Sequence, residues 1–280
     1  MSLESQITAL VSAANKLTSE VANKMKGIDR KVDQATASVP RAIRAAADQV
    51  YYIDAANGDD SNSGLSGANA LKTIAGVNNK IVPGGVVQIT VREDQIHIVE
   101  GDVLRASGCS ILVRSWGTAT NIRPTIQWKP VYDPDNGINA GRGLALTNCS
   151  ITFLGVNLDI ANLENGVQLS GMSAFVFPER SHVNVYLREC EVTVNNAPFA
   201  ASYAGYDSLD IHMNLFGFTR TANTNGRGML LYNRAEPNDA LQLRMSARGV
   251  TLRNGLSFKD ILPIKADASN ILTNIADVNL

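Results

Sequence analysis

Hydrophobic positions recur through the first 39 residues in steps of four and three. Leu3, Ile7, Leu10, Ala14, Leu17 and Val21 follow this alternation; a further step of four reaches Met25, and Ile28, Val32, Ala35 and Val39 resume it. Such spacing gathers the side chains on one narrow stripe of an α-helix, the a/d seam of a coiled coil. The two consecutive fours form a stutter, which unwinds a left-handed supercoil locally without breaking the seam. Glu4, Lys16, Glu20, Lys24, Asp29, Arg30 and Asp33 fall on the other faces. A helix over residues 3 to 39 spans about 55 Å. The pattern predicts an oligomerisation seam, with packing of the same stripe on the downstream domain as the alternative. Pro40 is expected to end or kink the helix, and the Ala-rich stretch from Ala42 to Ala47 to form a neck.

The pattern changes at Val50. Val50-Tyr51-Tyr52-Ile53-Asp54 reads as a strand, and Asn57-Gly58-Asp59-Asp60-Ser61-Asn62-Ser63-Gly64 as a dense turn cluster. Leu71 to Val77 has the apolar spacing of a short helix. Pro83-Gly84-Gly85 then turns the chain into the β-branched run Val86-Val87-Gln88-Ile89-Thr90-Val91. Further on, strict alternation marks Val183-Asn184-Val185-Tyr186-Leu187, Leu209-Asp210-Ile211-His212-Met213 and Leu241-Gln242-Leu243-Arg244-Met245 as strands with one buried face.

The order from Tyr51 to Val91 resembles the opening of single-stranded right-handed β-helix proteins of the pectin-lyase-like class. There the segment caps the open N-terminal end of the solenoid. The stretch LVSAANKLTSEVANKMKGIDRKVD separately resembles the virion-proximal segment of bacteriophage tail fibres and tailspikes. Together these resemblances imply an all-β solenoid, a right-handed single-stranded parallel β-helix preceded by an N-terminal α-helical coiled-coil stalk. The expected divisions are stalk and neck over 1–48, cap over 49–92 and β-helix body over 93–280.

A solenoid repeats at its rung length. The phrase Arg-Gly-apolar-x-Leu-x-Asn occurs as Arg142 to Asn148, Arg227 to Asn233 and Arg248 to Asn254, with a degenerate copy from Asn165 to Gly171. The last two full copies start 21 residues apart and the first two 85, near four times that interval. Glycine tolerates the corner, and asparagine can take the next left-handed bend. Val131 to Ala140 and Ala197 to Asp207 read as loop insertions between rungs.

Charge narrows the partners. The chain has 25 basic and 26 acidic residues, a formal net charge of -1, so nothing points to nucleic acid as the main partner. No apolar run reaches the roughly 18 residues that cross a bilayer, and membrane insertion is not expected. The N-terminus lacks a signal-peptide pattern, so synthesis in the host cytoplasm is expected. Cys109, Cys149 and Cys190 lie in apolar strand-like segments and read as buried free thiols. His97, His182 and His212 show no ligand spacing, and neither a metal nor a cofactor is expected. The acidic Asp59-Asp60 loop lacks calcium-loop spacing and reads as turn chemistry.

Glycoside hydrolysis needs paired carboxyl groups, about 5–5.5 Å apart if retaining and about 6.5–9.5 Å if inverting. Aligning the three alternating strands on Leu187, Met213 and Met245 gives outward columns of Asn184, Asp210, Gln242 and of Tyr186, His212, Arg244. Each has at most one carboxylate. Glu189 and Glu191 read as a solvated face, and Asp133 and Asp135 as turn residues. No catalytic residue is assigned. Tyr186, Asp210, His212 and Arg244 form a candidate glycan-contacting patch, with an ordinary exposed β face as the alternative.

The expected function is a structural tail-fibre subunit, localised to the virion. Its N-terminal helix would anchor it to a tail or baseplate protein, and its body would attach to a host-surface glycan. Resemblance to tail fibres implies a homotrimer, whereas Ile or Val at a with Leu at d nominally favours two strands. The alternatives are a tailspike depolymerase with an intersubunit carboxylate pair and an adaptor carrying another tail protein.

Overall fold

A computed structural model of the chain describes residues 2–101, 103–117, 122–160, 163, 168–170, 173–202, 208–223, 226–233, 243–265 and 268–276, with the backbone alone over 37–47. Several sequence expectations fall outside these residues: the side chain of Val39, the degenerate repeat at 165–167 and 171, Leu241 and Gln242, residues 203–207 of the second insertion and the last residues to Leu280. The chain divides into two compact units, Met1–Ala46 and Ala47–Leu280.

The first unit is one helix, α1 (Leu3–Ala47). It runs through Pro40, where an end or kink was expected. Proline removes one backbone donor, but the alanines that follow it favour helix strongly enough for the helix to continue. Among the described residues no helix is long and apolar enough to cross a membrane.

The second unit is built from strands. In chain order they are β1 (Asp48–Ile53), β2 (Val86–Arg92), β3 (Ile96–Glu100), β4 (Leu104–Ser107), β5 (Ser110–Trp116), β6 (Thr125–Lys129), β7 (Val131–Asp133), β8 (Ile138–Ala140), β9 (Arg142–Thr147) and β10 (Cys149–Leu154). There follow β11 (Asn157–Ile160), β12 (Ala174–Pro178), β13 (His182–Arg188), β14 (Glu191–Val194), β15 (Ala200–Ser202), β16 (Ser208–Arg220), β17 (Leu231–Asn233), β18 (Leu243–Leu252) and β19 (Ile271–Thr273). The short helix α2 (Phe258–Ile261) lies between the last two. The helix expected over Leu71–Val77 is only a 3-10 turn at Ala75–Val77, and Leu71 instead bridges to Ile53. The insertion Val131–Ala140 is the antiparallel pair β7 and β8.

The expected right-handed parallel β-helix with a coiled-coil stalk is corrected by the sheet topology. Twelve of the described strands form one hydrogen-bonded sheet, in the order β1-β2-β5-β10-β13-β16-β14-β11-β6-β3, with β18 beside β16 and β19 beside β18. A second sheet has five strands, β17-β15-β12-β9-β4. The long strand β16 joins the two limbs of the large sheet. Its first half pairs with β13, up to Arg188↔Asn214, and its second half with β14, from Glu191↔Gly217. Leu215 takes a left-handed φ of 51° at the bend, while Phe216 and Phe218 stay buried beyond it. The result is a mostly parallel β half-barrel with one N-terminal helix.

The repeated phrase does not mark one structural column either. Its first two copies lie on β9 and around β17 in the five-stranded sheet, whereas the third lies on β18 in the large sheet. The shared feature is local: Asn148 and Asn254 both take left-handed φ, 50° and 60°. Between the sheets, Phe153 of β10, Phe175 of β12 and Phe199 before β15 meet with ring centroids 5.8–6.0 Å apart. All three are buried in the main apolar cluster.

Candidate functional site

Alternation on β13, β16 and β18 sends Val183, Val185, Leu187, Leu209, Ile211, Met213, Leu243 and Met245 into the core. The residues between them form the opposite face. Register fixes which of these become neighbours. β13 pairs with β16 as His182↔Ser208, Asn184↔Asp210, Tyr186↔His212 and Arg188↔Asn214. β16 pairs with β18 as Asp210↔Arg244, His212↔Ser246 and Asn214↔Arg248. The expected columns are therefore right between β13 and β16 and shifted by two residues on β18. Arg244 stands beside Asp210, and Ser246 takes its expected place beside His212.

Tyr186 and His212 are half-buried and stack at 4.5 Å between centroids, 14° from parallel. The His212 Nδ1 lies 2.7 Å from the Ser246 hydroxyl. Asp210 is buried, and its carboxylate lies 3.7 Å from His182 Nε2, while His182 Nδ1 is 2.9 Å from Ser208 Oγ. Arg244 is exposed. The four candidate residues thus share one face, though not one column. His182, Ser208 and Ser246 belong to the same constellation and were missed. Extending the β13–β16 alignment back to His182 and Ser208 would have found the first two.

Two of the open hollows along this face hold the candidate residues. One, of about 400 Å³, is lined by His182, Ser208, Asp210 and Arg244 together with Asn270 and its neighbours. The other, of about 390 Å³, is lined by Tyr186, Arg188, His212, Asn214, Ser246 and Arg248 among others. Aromatic ring, hydroxyl and guanidinium groups in open hollows can take a polyhydroxylated ligand by stacking and hydrogen bonding.

Carboxylates elsewhere are engaged locally. Glu191 pairs with Arg253 at 2.9 Å, reaching past Gly217, and Asp159 accepts from Gln127 Nε2 at 2.7 Å. Asp133 accepts from the amide N–H of Asp135 and from Asn136, and the Asn136 side chain leads in holding its carboxyl below the ordinary range. Asp60 accepts from the backbone N–H groups of Lys72 and Thr73 and from the Thr73 hydroxyl. These are turn and latch contacts. Among the described residues no three His, Cys, Asp or Glu side chains cluster to hold a metal ion.

On the first unit, Leu3, Ile7, Leu10, Leu17, Val21, Met25, Ile28 and Val32 are all between 48% and 73% exposed, and Ala14 and Ala35 are exposed as well.

No family model and no curated protein matches this chain. Among solved structures it is similar to GH136 lacto-N-biosidase from Eubacterium ramulus. The selenomethionine derivative gives a TM-score of 0.33 and 17% identity over 73% of this chain and 34% of that one. The native protein gives 0.32 and 16% over the same shares. The chain spans about a third of the length of these structures. At these values the likeness assigns neither activity nor substrate.

Proposed function

We propose that this chain is a subunit of a homo-oligomeric attachment fibre of a bacteriophage tail, assembled through α1 and contacting a host-surface glycan through the face of β13, β16 and β18. The observation that carries the reading is the apolar stripe of α1. Eight large apolar side chains of this stripe stay at least 48% exposed. Burying one such side chain contributes about 1.5–3 kcal/mol, so helices of further copies packing on this stripe would gain a substantial driving force. Trimeric assembly, attachment to a tail or baseplate protein and incorporation into the virion follow from the resemblance of the N-terminal stretch to tail fibres. The glycan contacts are Tyr186, Asp210, His212 and Arg244, now joined by His182 and Ser246.

Gel filtration with light scattering tests the assembly. A mass near three times the 30.0 kDa of the chain is expected at micromolar concentration, with Leu10→Asp/Leu17→Asp reverting to the monomer. A monomeric wild type would overturn the reading.

A further inference from the structure

We infer that the hollow between Arg188 and Arg248 binds the anionic group of an acidic saccharide, an assignment that rests on the glycan reading above and specifies its ligand class. Arg188, Asn214 and Arg248 are successive partners across β13, β16 and β18. With strands about 4.8 Å apart, the two arginine Cα atoms stand roughly 10 Å from one another. That separation lets two long side chains close on one small anion over Asn214.

Among the described residues, the lining of the hollow supplies no counter-charge. Both arginines are exposed, and among the described residues neither has an ion pair or side-chain hydrogen bond. Among the described residues no acidic side chain lines this hollow. Elsewhere on the same unit arginines meet carboxylates: Arg253 with Glu191, Arg105 and Arg142 with Glu179, Arg92 with Asp54. The neighbouring hollow differs, because Arg244 there shares the lining with Asp210. Mixed charge suits hydroxyl groups, whereas two unopposed guanidinium groups suit an anion, which each can grip through two N–H donors. The Tyr186–His212 stack borders the same hollow, so the sugar ring and its charged substituent would be held by adjoining groups. Carboxylate and phosphate both meet this chemistry.

Calorimetric titration of the full chain with three probes separates the outcomes: trigalacturonate, its neutral methyl ester and a phosphorylated oligomannoside. One or both charged probes should bind about tenfold tighter than the neutral ester, the one that does so naming the group. That advantage should shrink as salt is raised and collapse towards unity in Arg188→Gln/Arg248→Gln. Equal binding of charged and neutral probes would overturn this inference and leave the glycan reading standing. Binding of none would overturn both. A charge advantage that survives the double substitution would place the anion elsewhere and also overturn the assignment.

Discussion

His97 is 2% exposed, and its Nε2 lies 2.9 Å from the Arg92 carbonyl oxygen. A ring nitrogen facing a carbonyl must donate, so Nε2 carries the proton and Nδ1, which has no partner among the described residues, is bare. Burial pushes this histidine below its ordinary pKa, against the opposing pull of the Arg92 carbonyl and the Asp54 charge. The unfolded chain therefore takes up a proton just below pH 6.5 that the folded chain refuses, and stability falls as pH drops through that range. Asp54 acts lower. Burial raises its carboxyl, but hydrogen bonds from Gln95, Asn57 and Ala56 outweigh it and leave the pKa lowered. Its stabilisation is present above about pH 4 and is lost below that. Urea midpoints followed by circular dichroism should fall between pH 7 and 5 in the wild type. His97→Gln should flatten that limb and leave the loss below pH 4 in place. Burial at single residues was legible where the neighbours are apolar: Cys109, Cys149 and Cys190 are free and buried, and burial pushes the Cys190 thiol up to about 11. The setting of His97 was not legible, because Asp54 is brought near it only by the fold and the Arg92 carbonyl only by the geometry of the turn between β2 and β3.

Alternation located β2, β13 and the first half of β16 in the sequence because one buried face imposes a period of two. The same period explains the error on β18. A slip of two residues keeps every apolar side chain inward, so Leu187 could be matched with Met245 as readily as with its true column partner Ala247. Pattern specifies the face of a strand and leaves its register to the corners and neighbouring strands. Close approach between elements is equally silent in sequence, as two glycines show. A Cβ on Gly143 would lie 2.6 Å from Phe175 Cδ2, 2.9 Å from the Phe175 carbonyl oxygen and 3.0 Å from Trp128 Cδ1. β9 cannot retreat without disturbing its pairing to β12. A Cβ on Gly217 would instead meet the flexible carboxylate of Glu191, whose pair with Arg253 is largely exposed. Gly143→Ala should cost about 1–3 kcal/mol in equilibrium denaturation, and Gly217→Ala within about 0.5 kcal/mol. Equal losses at the two sites would contradict this account of how β9 and β12 pack.

At the scale of the molecule, the join of two limbs through β16 lies beyond sequence reading, because it depends on pairing between strands that are distant in the chain. The helix α1 and its exposed apolar stripe were legible because their spacing needs no partner to be recognised. Its consequence concerns attachment. A single copy offers one open hollow for an anion, with exposed groups that are weak individually in water. Assembly through α1 would carry several such sites on one particle. Where they engage one surface together, each later contact is intramolecular, and apparent affinity rises by about 10²–10⁴ without any new contact. Leu10→Asp/Leu17→Asp places two charges in the apolar stripe while leaving β13, β16 and β18 untouched. This variant should bind a soluble oligosaccharide with the wild-type Kd, yet adsorb to a glycan-coated surface about a hundredfold less well. Surface plasmon resonance reads both quantities on one instrument. If the monomeric variant stays on the coated surface as long as the wild type, the helix serves some purpose other than multivalent attachment.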